Sequence, residues 1–185
     1  MKKTLILILV ILIGMAFMVN QAVAKKPIID QETLIYQISN AQVVTPGEVV
    51  DLPEGTWKRG ITVEAKAKIK KGNMFPEGTF VLTYDAFSPT KDMGSQKAGM
   101  WYVVGSWTIT KKDADPNQVK VKHNPDVANG DIMAELPFDP STASQKWTAK
   151  AVMRMGLAAG RWSRGEGTLT LNEGMQGDLF LDLAR

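Results

Sequence analysis

Ile61-Thr62-Val63-Glu64-Ala65-Lys66-Ala67-Lys68-Ile69 alternates between apolar and polar residues without a break. Ile61, Val63, Ala65, Ala67 and Ile69 share one side; Thr62, Glu64, Lys66 and Lys68 share the other. A period of two belongs to an extended chain, whose successive side chains point to opposite faces. The stretch predicts a strand with one face on a core and one in water, as antiparallel sheets have.

The same period recurs on both sides of turn signals. Gly72-Asn73 and Pro76-Glu77-Gly78 lead into Thr79–Phe87, where Phe80, Leu82, Tyr84 and Ala86 are in line. Met100–Thr110 follows, with Trp101, Val103, Gly105, Trp107 and Ile109 on one face; Gly105 predicts room for a ring or a bulge. Val119 and Val121 alternate with lysines in a short strand. Ile132, Ala134, Leu136 and Phe138 alternate next, then Trp147, Ala149, Ala151, Met153 and Met155. Gly167–Asn172 and Gly177–Leu183 flank a four-residue loop with a Gly, which reads as a hairpin.

The N-terminal segment 25–55 is ambiguous. Thr33–Ile38 fits a short helix or a strand, and Val43-Val44 and Val49-Val50, split by Pro46-Gly47, predict a short hairpin. About eight short strands with turns between them predict an all-β, single-domain antiparallel barrel over 56–185, of the calycin-like kind, with a β-sandwich as the alternative. No strand alternates with a long amphipathic helix, which argues against a doubly wound α/β fold.

The first 24 residues read as an address. Met1-Lys2-Lys3 precedes Leu5–Val19, an uncharged apolar run, and Ala22-Val23-Ala24 supplies small residues for cleavage after Ala24. These are the three parts of a secretory signal peptide, and the run is short of the ~20 residues of a comfortable membrane span. The expected product is a soluble exported chain, periplasmic or secreted, with no transmembrane span. The formal charge of +3 falls to +1 once Lys2 and Lys3 are removed, so the basic character belongs to the address and not to a partner.

Composition excludes several chemistries. With no Cys there is no disulfide scaffold or thiolate metal site, and one His excludes any site needing two. No phosphate loop or nucleotide fingerprint occurs, so no cofactor is expected. The lysine stripe Lys66, Lys68, Lys70 and Lys71 reads as a solvated strand face; no nucleic-acid partner is expected. Asp113-x-Asp115-x-Asn117 begins like a calcium loop, but Gln118 and Asn124 stand where such a loop needs Gly and Glu, so no metal site is assigned. The acid–base candidates are His123 or buried carboxylates such as Asp85 or Glu135, and no nucleophile elbow accompanies His123.

The five tryptophans are the most unusual feature. Tyr84, Trp101, Trp107 and Trp147 lie on strand faces that would line a barrel, and they are the candidate ligand-binding residues. Trp57 and Trp162, beside Lys58-Arg59 and Arg161, are candidate surface aromatics able to stack on a flat ligand. The leading expectation is a non-enzymatic protein binding a small apolar or amphipathic ligand inside the barrel. The alternatives are an interaction protein of the cell envelope, a carbohydrate-binding sandwich, and a hydrolase or isomerase.

Overall fold

The computed structural model describes residues 31–89, 99–115, 117, 123–138, 146–172 and 174–184. Eight strands follow one another: β1 (Gln31–Leu52), β2 (Gly55–Lys71), β3 (Glu77–Ser88), β4 (Gly99–Lys111), β5 (Val127–Phe138), β6 (Trp147–Ala158), β7 (Arg161–Leu171) and β8 (Gly177–Ala184). Each pairs antiparallel with its sequence neighbour, and β8 pairs with β1 from Gln31↔Ala184 to Ile38↔Gly177. This last ladder closes a barrel and excludes the sandwich.

Alternation decides what fills the barrel. Ile61, Val63, Ala65 and Ala67 are buried, and Glu64, Lys66 and Lys68 are exposed, as the period requires. Leu34, Tyr36 and Ile38 of β1, Phe80 and Leu82 of β3, and Leu179, Leu181 and Leu183 of β8 complete one continuous core. Burying a leucine or phenylalanine side chain is worth about 1.5–3 kcal/mol, so packing alone can hold a domain without disulfides.

Residues 33–38 are strand, not helix. Val43–Val50 is not a hairpin either: β1 runs through Pro46 and Gly47 as one stave against β2, with register shifts after Ser39 and Val43. The structure absorbs Pro46 because, beyond Ile38, β1 pairs among the described residues with β2 alone. An edge needs no donor on its outer side, and proline and bulges there discourage pairing with other chains. The expected strand at Val119–Val121 lies outside the described residues.

At the end holding the β2–β3, β4–β5 and β6–β7 connections, the β2–β3 loop folds across the barrel. Tyr36 donates its hydroxyl proton to the Phe75 carbonyl at 2.6 Å, with the two rings 6.0 Å apart. The Ala159 N–H donates to the Asn73 carbonyl, also at 2.6 Å. We call this the Phe75 end, and the opposite one the Trp101 end.

Outside, the wall is charged. Lys111–Asp126 (3.0 Å), Lys150–Glu166 (3.4 Å) and Arg154–Asp131 bridge neighbouring staves or a flanking turn, and Lys70–Asp178 (2.7 Å) reaches from β2 across β1 to β8. Such a surface faces water, since charges on the outside of a lipid-embedded barrel cost about 2–4 kcal/mol each at midplane. No helix among the described residues is long and apolar enough to cross a membrane.

Candidate functional site

The four expected lining residues all belong to the inner face, at different depths. Trp107 lies deepest, only 1% exposed. Its in-register neighbours are Leu82 and Gly130. A Cβ on Gly130 would stand 2.7 Å from both Cε2 and Cζ2 of the indole and would also meet the Val152 carbonyl oxygen. The ring therefore occupies the space that Gly130 vacates. Its Nε1 is buried and has no hydrogen-bond partner. A buried donor left unpaired costs about 1–3 kcal/mol, so this atom is a point of unmet demand inside an apolar core.

Tyr84 and Trp147 meet inside the barrel, with ring centroids 6.4 Å apart and planes tilted by 56°. They come from β3 and β6, with β4 and β5 between them in the ring, so this contact crosses the lumen. Trp101 is half-buried on the β4 face that also carries Trp107, nearer the Trp101 end. Burial pushes the Tyr84 phenol above its ordinary pKa, because the phenolate would lose its hydration. Much of the remaining lining is small: Ala86, Ala134, Ala149 and Ala151 are buried alanines.

Gly105 makes neither a bulge nor a ring slot. The ladder runs through it without a shift, and a Cβ there would meet the Thr83 carbonyl and lie 2.6 Å from Tyr84 Cβ. It allows β3 to approach β4 closely.

Sequence reasoning missed Lys58. The register shifts between Lys58 and Ile61, which reverses the alternation. Thr56 and Lys58 thus share the face of Ser88 and Ala86, on the lumen side, while Trp57 turns outward. There Trp57 packs on Phe87 (centroids 4.9 Å), Phe87 lies 6.4 Å from Tyr102, and the Arg59 guanidinium sits 5.3 Å from the Trp57 ring centroid. Trp162 is far from this row, at the Phe75 end, where the His123 ring meets it edge-on at 5.4 Å. The two surface aromatics are not brought together.

The acid–base candidates are also separate. Asp85 and Glu135 are not buried carboxylates: Asp85 accepts the Gly60 N–H at 2.8 Å on the outer side, and Glu135 is exposed. Asp115 accepts the Asn117 N–H at 2.9 Å, which uses the first half of the calcium-like sequence as a turn. Among the described residues no cluster of His, Asp and Glu could hold a metal ion.

Clefts lie on the outer wall. One of about 750 Å³ runs over β6, β7 and β8 between Arg154, Arg164, Glu166 and Asp182 and is open to solvent. A second apolar feature is also external: Met100, Tyr102 and Val104 of β4 are exposed, with Met133 of β5, 64% exposed, directly opposite Val104.

The chain matches no protein-family model, and no curated protein or solved structure is similar to it.

Proposed function

We propose that the chain is an exported binding protein that holds a small apolar or amphipathic molecule in the lumen, at the Trp101 end. The observation that carries this reading is the group of half-buried rings on the inner face: Tyr84, Trp101 and Trp147 pack against the core from β3, β4 and β6, with the Tyr84 and Trp147 rings 6.4 Å apart. A mostly apolar chamber with a few placed polar groups is the usual form of a small-molecule site.

The test is direct. The full chain is expressed in cells able to export it, purified and extracted with organic solvent, and retained molecules are identified by mass spectrometry. A molecule retained in fixed stoichiometry, whose return changes tryptophan emission, supports the reading. No retained molecule, and no emission change with apolar probes, overturns it. Export is checked on the same material: the mature protein is expected to begin at Lys25, and a product still starting at Met1 removes that part.

A second reading has one specific observation in its favour. The exposed Met100, Tyr102, Val104 and Met133 form an apolar strip on the outer face of β4 and β5, which suits an interaction protein of the cell envelope. Replacing Val104 and Met133 by Ser is expected to abolish cross-linking in envelope fractions if that reading holds, while leaving lumen binding unchanged.

A further inference from the structure

We infer that the lumen ligand carries an uncharged hydrogen-bond acceptor, a carbonyl oxygen, which the Trp107 indole N–H receives. This rests on the lumen reading above and names the chemistry it selects. Nε1 is bonded to Cε2, one of the two ring atoms set against Gly130, so the N–H lies on the inner face beside the β4–β5 ladder. It is buried and unpartnered. Indole nitrogen only donates, so the partner must accept.

The surroundings set the charge of that partner. On the inner face Trp107 is flanked by Gly105 and Ile109 along β4, by Leu82 on β3 and by Gly130 on β5. None can neutralise a carboxylate, and an unpaired ion in such a place carries a large desolvation cost. A ketone, ester or amide oxygen needs only the one donor. Lys58, the cation on the lumen face, pairs in register with Ala86, towards the Trp101 end and away from Trp107.

Three probes of nearly one shape test this on the full chain by calorimetry: acetophenone, α-methylstyrene with a methylene in place of the oxygen, and benzoate. Acetophenone is expected to bind about fivefold more tightly than α-methylstyrene, the worth of one ordinary hydrogen bond. Trp107→Phe is expected to erase that preference. In the unaltered chain, the Trp107 indole N–H resonance, assigned by elimination with Phe variants of the other four tryptophans, is expected to shift with acetophenone and not with α-methylstyrene. That measurement holds even if Trp107→Phe fails to fold. Equal affinities with an unmoved resonance overturn the acceptor proposal and leave the lumen reading standing. Tightest binding by benzoate, lost in Lys58→Met, overturns it in favour of an acid held at the rim. Failure of all three probes, with no heat and no shift, overturns the lumen reading and the proposal with it.

Discussion

The Trp107 indole lies directly over the Cα of Gly130, in register across β4 and β5, with the ring filling the place where a side chain at 130 would stand. The largest ring of the core and the absent side chain are one structural unit. Replacing Gly130 by Ala sets a methyl against the ring and against the Val152 carbonyl, and neither is the end of a flexible chain. Overpacking of this kind is expected to cost about 3 kcal/mol, read as a lower denaturant midpoint at unchanged slope.

Tyr36 ties β1 to the loop that closes the barrel. Burial raises its phenol well above the ordinary value, and the Tyr84 phenol is raised for the same reason. A phenol whose folded pKa exceeds its unfolded pKa keeps the native state protonated when the unfolded chain has begun to ionise. Stability is therefore fully present below about pH 10 and falls as pH rises beyond it. Tyr36→Phe is expected to flatten this alkaline loss and to lower stability near neutrality by about 1 kcal/mol through the lost hydrogen bond. Denaturant midpoints measured across the alkaline range check both effects.

Phe75 is a loop residue with the burial of a core residue. Phe75→Ala is expected to cost about 3 kcal/mol, the usual figure for emptying an aromatic site. The loss is local in its first effect: hydrogen exchange at Ala159, whose N–H bonds to Asn73, is expected to quicken before exchange in the core strands.

Lys70→Ala removes a 2.7 Å ion pair with Asp178, yet both partners are about half exposed. The expected change is under about 1 kcal/mol and vanishes in high salt, because water and salt already screen the pair. A larger loss would mean that this bridge pins the closing ladder between β1 and β8.

Much of the fold is legible in the sequence because burial on one face imposes a period of two, and β3, β4 and β8 keep that period throughout, as do β2 beyond its bulge and β6 up to Met153. The errors fall where the backbone breaks it. Pro46-Gly47 reads as a turn, since both residues favour turns; the structure uses them at a strand edge, where a missing donor is harmless. Lys58 and Trp57 exchange faces at a bulge that leaves no mark in hydrophobicity. The same holds for the site: the inward placement of Trp107 follows from alternation, whereas its resting place over Gly130 and its unpaired nitrogen depend on a neighbour 23 positions away in the chain. Asp85 and Glu135 fall on outward positions of the alternation that places Tyr84 and Ala134 inside.

Because the first strand and the last complete the ring, order in time is built into the molecule. Every other ladder joins consecutive strands and can form as the chain lengthens, but Gln31 waits for Ala184. Until the final strand arrives, Leu34, Tyr36 and Ile38 have half of their packing, and β1 and β7 both offer open rims. A chain shortened by its last eight residues would not be a slightly smaller barrel; it would be a sheet with two sticky margins, prone to association before it could curl shut.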